Sequence, residues 1–275
     1  MELRIPTPFE YPPHNKQIFE EFYYDYHTLN QIETDREYLP IFWTSFYLRK
    51  NYGRDDISDL QAYLNSLDRT KKYFTLVQYD DGILNDVSHL DLYVFSLAQD
   101  KNCDFLLPTT CLPRPNINKN RDRDIFCSYF GRYKGEIDHP LRSELISNLS
   151  GKGYNLGQYI DYSSYCDFLE RSKFFLCVNG RSPTTFKICE CFQTGTVPVF
   201  IYDKKWIPFE SDSNFEFDKA CVMIPENEIH KVDEILKSFS EDQIKEMVRQ
   251  GERIYREYYD YVRLAKKVTE IAKKI

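Results

Sequence analysis

The stretch Phe174–Val199, FFLCVNGRSPTTFKICECFQTGTVPV, decides the fold. It reads as an apolar buried strand, a small-residue loop, one helix, a glycine stop and a second apolar strand ending at Val199. That is a βαβ unit. Ser182 before Pro183 fits an N-cap with proline in the first helical position, and Gly195 fits the helix end. The loop would bring a helix N-terminus, with its unpaired backbone N–H groups, beside Gly180, Ser182, Thr184 and Thr185, a setting suited to phosphate. Lys187 and Glu190 stand three apart and share a helix face. A cation there can meet a diphosphate, and a carboxylate can accept two hydrogen bonds from a ribose diol. The spacing alone fits a surface ion pair equally well.

Outward from this unit the same alternation continues. Ile125–Phe130 reads as a strand and Leu141–Leu149 as a helix. Ser240 and Gln243 form a capping-box pattern opening a helix to about Tyr258. Val262, Ala265, Val268 and Ile271 are at helical spacing in the final stretch. In the first half, Phe19–Tyr26 reads as an aromatic helical arm, Leu39–Tyr47 as a buried strand entering a loop, and Asp56–Ser66 as a helix. Tyr73–Gln78 is a strand ending at Asp80, Asp81 and Gly82, with further strands at Leu92–Leu97 and Asp104–Leu107. Leu112–Asp124, rich in proline, asparagine and charge, reads as a linker. The expected class is α/β, as two Rossmann-like domains: residues 1–113 first, 124–259 second, and a helix at 260–275 packing back on the first.

The 275 residues carry a net charge of −7, with 42% hydrophobic and 29% charged residues, which argues against a nucleic-acid partner. No run approaches the roughly 20 apolar residues of a membrane span, and the start has neither a basic nor an apolar leader region. The chain is expected to be soluble and cytoplasmic. None of the eight cysteines stands in a C-x-x-C pair, and most lie in apolar runs, so all are read as reduced structural thiols. The sequon at Asn148 then carries no glycan.

The central stretch resembles the donor-binding segment of the exostosin family of glycosyltransferases, which carries Gly, a short loop, Pro-Thr-Ser-Phe-Arg, Glu, and Ala-Gly-Cys-Ile-Pro-Val. Gly180, Pro183, Thr184, Thr185, Phe186, Lys187, Glu190, Gly195, Val197, Pro198 and Val199 fall on that pattern. Trp206-Ile-Pro-Phe209 is similar to the family's Leu-Pro-Phe, and Tyr129-Phe-Gly-Arg132 with Arg142 to its Phe-Phe-x-Gly segment and later arginine. Leu39–Phe46, Tyr79-Asp-Asp-Gly82 and Asp104–Pro108 resemble earlier segments, so the likeness runs over residues 39 to 209. Lys187 stands where the family has arginine, and an ammonium cannot make the planar fork of a guanidinium. Thr44, Val178 and Thr196 also depart from the pattern.

The resemblance implies the two-domain GT-B architecture, with the active site in the cleft between the halves, and inverting transfer from a UDP-sugar to a glycan hydroxyl. UDP-xylose or UDP-galactose ranks first among the family's donors. Gly131, Arg132, Arg142, Gly180, Ser182, Thr184, Thr185, Lys187 and Glu190 are then expected to bind the donor. Asp80, then Asp81, is the expected catalytic base, with Glu136 or Asp138 behind them. Thr44, Ser45, Tyr47, Glu136 and Asp138 are expected on the acceptor side, and His139 is the one histidine near them. Asp122 and Asp124 match an Asp-x-Asp metal pattern, but they precede a strand in a charged linker and are read as solvated. No metal or other cofactor is expected. An inactive glycan-binding or partner subunit and a GDP-sugar enzyme of fucosyltransferase type are the alternatives.

Overall fold

The computed structural model describes residues 18–98, 102–114, 117–118, 121–131, 140–158, 160–179 and 182–275. The chain divides into two compact units, Met1–Leu112 with Tyr258–Ile275, and Pro113–Glu257.

The first unit is built on four parallel strands in the order β1-β2-β3-β4: Glu37–Tyr38, Lys72–Val77, Asp91–Ser96 and Phe105–Leu106. Parallel strands buried on both faces read as continuous apolar runs, which is why β2 and β3 are legible in the sequence. Helices α1 (Phe19–Leu29), α2 (Trp43–Arg49) and α3 (Ser58–Asn65) accompany this sheet. Leu39–Tyr47 is not the expected strand. Its second half is α2, whose start is fixed from outside: Glu20 of α1 accepts the Thr44 N–H at 3.1 Å and the Thr44 hydroxyl at 2.8 Å. Trp43 Nε1 donates to Thr75 Oγ1 at 2.9 Å and ties the helix to β2.

The second unit carries a parallel sheet in the order β6-β5-β7-β8-β9, formed by β5 (Ile125–Phe130), β6 (Asn155–Gly157), β7 (Ser172–Val178), β8 (Val197–Tyr202) and β9 (Val222–Pro225). Strand side chains alternate between faces. Phe174, Leu176 and Val178 of β7 join Val197, Val199 and Ile201 of β8 in a core with Leu141, Leu145 and Leu149 of α4 (Pro140–Leu149) and with Val232 and Leu236 of α7 (Val232–Lys237). Phe175 and Cys177 point the other way. Phe175 meets Tyr165 of α5 (Tyr162–Arg171), and Cys177 meets Cys191 of α6 (Phe186–Thr194), with sulfurs 3.8 Å apart. Helices thus cover both faces of this sheet. The short β6 and β9 lie outside the sequence expectation because three or four residues leave no periodic signal, and the polar α5 lies outside it as well.

Helix α8 (Glu241–Ile254) opens on the expected capping box between Ser240 and Gln243. A π-helical turn over Tyr255–Tyr259 leads to α9 (Tyr261–Ala272), which belongs to the first unit. There Tyr261 packs edge-on to Phe19 and Phe22 of α1, with ring centres 5.3 and 5.1 Å apart. The buried stripe of α9 is Tyr261, Leu264, Ala265, Val268 and Ala272, whereas Val262 is 44% exposed. The apolar face is therefore rotated from the expected one, because Tyr261 and Leu264 supply more apolar area than Val262.

Candidate functional site

In the second sheet the chain leaves β5 through α4 to β6 on one side, then passes back to β7 and on through α6 to β8. The order reverses between β5 and β7. In an open parallel sheet such a reversal opens a crevice at the carboxyl ends of the two strands, where ligands bind. The described strands of the first sheet run in one direction and contain no such reversal.

Two cations cross this crevice. Arg142, in the first turn of α4, follows β5 but sends Nε to the carbonyl of Asn179 just past β7, at 3.2 Å. Lys187, in the first turn of α6, follows β7 but donates from Nζ to the carbonyl of Phe130, the last residue of β5. Its ammonium lies 5.2 to 5.7 Å from the ring centres of Tyr129, Tyr165 and Phe175. Burial there pulls the Lys187 pKa below its ordinary value, although nearby Glu190 opposes the shift. Gly131 follows β5, and a Cβ on it would come within 2.9 Å of Tyr129 Oη and 3.5 Å of Lys187 Nζ. A side chain would fill the corner. Asn179 is buried, with Nδ2 donating to Asp203 and Oδ1 left without a partner among the described residues.

The start of α6 differs by three residues from the sequence expectation. Its N-cap is Thr185, whose hydroxyl accepts the Lys187 N–H at 3.4 Å, whereas Ser182 Oγ donates to the Thr184 carbonyl at 3.0 Å and shapes the preceding loop. Pro183 therefore lies before the helix, and Thr185, whose side chain reaches the free N–H groups, takes the cap. Gly195 closes the helix in the left-handed region at φ 72°, as expected. Ser182 and Thr184 are buried beside this start.

One turn into α6, Glu190 is buried and both its oxygens are engaged. Arg114 Nη2 donates to Oε1 at 2.6 Å and Tyr165 Oη to Oε2 at 2.5 Å. It is not the surface ion pair with Lys187 that its spacing allowed. The Arg114 guanidinium lies 5.4 and 5.2 Å from the ring centres of Tyr162 and Tyr165, and its backbone N–H reaches Gln193 Oε1 at 2.9 Å. Burial opposes the Arg114 charge, but Glu190 and Tyr165 more than offset it and hold the pKa above the ordinary guanidinium value. Sequence reasoning missed Arg114 and Tyr165 as partners of Glu190. The available signal was a cation between two prolines, Pro113 and Pro115, at the head of a stretch read as linker.

Of the other expected site residues, Thr44, Ser45, Tyr47, Asp80 and Asp81 belong to the first unit. Thr44, Ser45 and Tyr47 are buried and spent within the first unit. Thr44 binds Glu20, Ser45 Oγ donates to Glu21 at 3.0 Å, and Tyr47 Oη donates to Asn85 Oδ1 at 2.9 Å while taking the Leu84 N–H at 3.0 Å. All three hydroxyls are thus hydrogen-bonded inside the unit. Asp80 is half-buried and Asp81 exposed in a turn just past β2, closed by the Gly82 N–H on the Tyr79 carbonyl at 2.9 Å. Arg132, Glu136, Asp138, His139 and Gly180 lie outside the described residues. Asp124 pairs with Arg171 at 2.5 Å, and among the described residues no three His, Cys, Asp or Glu side chains converge as a metal site. None of the eight cysteines is in a disulfide. A cavity of about 540 Å³ lined by Tyr24, His27, Arg36 and Tyr38 opens on the first unit. Arg36 binds the carbonyls of Tyr73 and Asp91, so this cavity lies at the amino ends of β2 and β3, opposite the strand ends that carry ligands.

Residues 98–239, more than half of the chain and including β5 to β9, match the Exostosin GT47 domain. The chain belongs to the exostosin family. Exostosin-1 homolog of Caenorhabditis elegans is 29% identical over 98 residues, covering 36% of this chain and 25% of the nematode protein. Human Exostosin-2 is 28% identical over 99 residues, covering 36% of this chain and 14% of the human protein. This exostosin-family chain thus aligns with a quarter or less of the length of these relatives. The solved structure of TarM covers 78% of this chain and 53% of its own, at 10% identity and a TM-score of 0.49. Among the described residues no helix is long and apolar enough to cross a membrane.

Proposed function

We propose that this exostosin-family chain is an inverting glycosyltransferase that binds a nucleoside-diphosphate sugar at the β5/β7 crevice and passes the sugar to a hydroxyl of a glycan. The observation that carries this reading is the pair of crossed cations, Arg142 on the Asn179 carbonyl and Lys187 on the Phe130 carbonyl, beside the start of α6. Arg142, Lys187, the first-turn N–H groups of α6 and the hydroxyls of Ser182, Thr184 and Thr185 would receive the diphosphate, with Gly131 leaving room for it. Glu190 would take the ribose hydroxyls. In the reaction the acceptor oxygen attacks the anomeric carbon, and the bond to the diphosphate oxygen breaks with its electron pair leaving on the nucleotide. The acceptor proton passes to a carboxylate, for which Asp80 is proposed first and Asp81 second. Protein cations and N–H groups would meet the diphosphate charge, so the reading needs no divalent ion. A UDP-sugar is the preferred donor, with xylose or galactose ahead of glucuronate because, among the described residues, no cation beyond those assigned to the diphosphate stands out for a uronate carboxylate.

One observation favours a second reading. Lys187 and both oxygens of Glu190 already have protein partners, which suits a glycan-binding or partner subunit that turns over nothing. A panel of UDP- and GDP-sugars, assayed for nucleotide release with and without chelator, separates the readings. The enzyme reading expects chelator-resistant turnover of a UDP-sugar, reduced at least 100-fold in Arg142→Ala and Glu190→Ala. Preference for a GDP-sugar would move the donor class, and no turnover of any donor by the folded wild type would overturn the enzyme reading.

A further inference from the structure

We propose that the cavity of the first unit is a second, non-catalytic binding site that takes an uncharged stretch of glycan. The choice of a glycan rests on the reading above, in which a glycan is the acceptor. The cavity's volume of about 540 Å³ is that of a small-ligand site. Tyr24 and His27 of α1 and Tyr38 of β1 line it, with the His27 and Tyr38 rings 4.8 Å apart. Aromatic faces carry partial negative charge and attract polarised C–H groups. A pyranose presents such groups on its faces and hydroxyls around its edge, so it calls for rings and hydrogen-bond partners together.

The hydrogen-bond partners stand in the same wall. Thr28, His27 and Glu33 line the cavity, and none of these side chains has a hydrogen bond or an ion pair among the described residues. Burial holds the His27 pKa below its ordinary 6.5, so the ring is uncharged at neutral pH. Charge decides against an anionic ligand. Arg36, the cation among the described lining residues, is spent on the Asp91 carboxylate at 2.7 Å and on the carbonyls of Tyr73 and Asp91. Glu37 is answered by Lys71 at 2.7 Å. Glu33 is then the uncompensated charge, which repels phosphate, sulfate or uronate groups and accepts hydrogen bonds from hydroxyls. Tyr73, at this end of β2, is separated from Val77, before the Asp80 turn, by about 13 Å at the rise of a parallel strand. A sugar bound here is thus remote from the proposed base.

The test is binding to the full chain of neutral tetrasaccharides of xylose, galactose, glucose and mannose, and of a heparin tetrasaccharide, titrated by saturation-transfer NMR. Glu33→Ala, Thr28→Val and Tyr24→Ala are compared with the wild type, and UDP affinity is measured on each. A neutral tetrasaccharide should bind more tightly than the heparin fragment, and saturating UDP should not displace it. Glu33→Ala and Thr28→Val should each weaken it about fivefold, the loss of one hydrogen bond, and Tyr24→Ala about tenfold. UDP affinity should be unchanged in all three, whose positions lie in the first unit. Thr28 and Glu33 are exposed, so their variants decide the matter should Tyr24→Ala not fold. Wild-type affinity for the tetrasaccharide in both of those variants, tighter binding of the heparin fragment, or displacement by UDP would overturn the inference. No tetrasaccharide binding by the folded chain would overturn it as well, and UDP binding by that same chain would leave the donor reading intact. A chain that binds the neutral tetrasaccharide through these residues but no nucleotide would keep the inference and remove the donor reading instead.

Discussion

Glu20 is a carboxylate buried where β2 ends. Its oxygens take the N–H of Gln78 at 2.6 Å as well as the N–H and hydroxyl of Thr44. Burial pushes its pKa up from 4.5 to about 8, although those hydrogen bonds and the backbone of Gln78 pull the other way. Between those values the folded chain holds a proton that the unfolded chain has lost, so stability falls as pH rises. Glu20 therefore contributes fully below pH 4.5, and its contribution is gone above about pH 8. The expected slope in that window is at most about 1.4 kcal/mol per pH unit. Burial raises the neighbouring Glu21 as well, which adds to the trend in the same direction. Thermal or urea unfolding at pH 5.5 and 8 should show the loss, and Glu20→Gln should flatten most of it; an equal slope in that variant would assign the dependence to other groups. This residue also explains what the sequence left hidden. Thr44 and Ser45 have the size and polarity of ligand residues at a strand end, and their hydrogen bonds to carboxylates 24 positions away are not legible in the sequence. Glu190 is the same case at a longer range, since its arginine lies 76 positions earlier.

Helix α6 had its end legible and its start misread. A glycine after an apolar turn has one common role, and Gly195 takes it at φ 72°. At the start, Ser182, Thr184 and Thr185 are all chemically able to cap, and the choice falls to Thr185 because Ser182 is used on the Thr184 carbonyl. The helix end is sealed by a residue from the supposed linker. Arg123 donates to the carbonyls of Ser172 and Thr194, both at 2.6 Å, and to Thr196 Oγ1 at 2.8 Å. A Cβ at Gly195 would stand 3.2 Å from Arg123 Nη2 and 3.4 Å from Val248. Gly195→Ala should therefore destabilise the second unit by about 1–2 kcal/mol, from the left-handed backbone and from pressure on this seal. A shift of the urea midpoint at unchanged slope measures it, and an unshifted midpoint would mean that the seal yields freely.

Across the whole chain, α/β alternation and nearly every long strand were readable, because parallel strands buried on both faces leave unbroken apolar runs. The order of those strands was not. The sequence holds no sign that β6 lies on one side of β5 and β7 on the other, yet that reversal is what gathers Gly131, Arg142, Lys187 and Glu190. Nor do Pro113 and the residues around it look like part of a packed unit until Arg114 is seen on Glu190. The central claim is that a nucleoside diphosphate binds at that reversal, and amide hydrogen exchange of the intact chain with and without UDP tests it most directly. The first-turn N–H groups of a helix lack partners within it and exchange quickly until a ligand takes them. The account predicts UDP-dependent protection over residues 125–131 and 182–190, the ends of β5 and the start of α6. Saturating UDP that protected neither segment, or protected only the turn at residues 79–82 in the first unit, would contradict it.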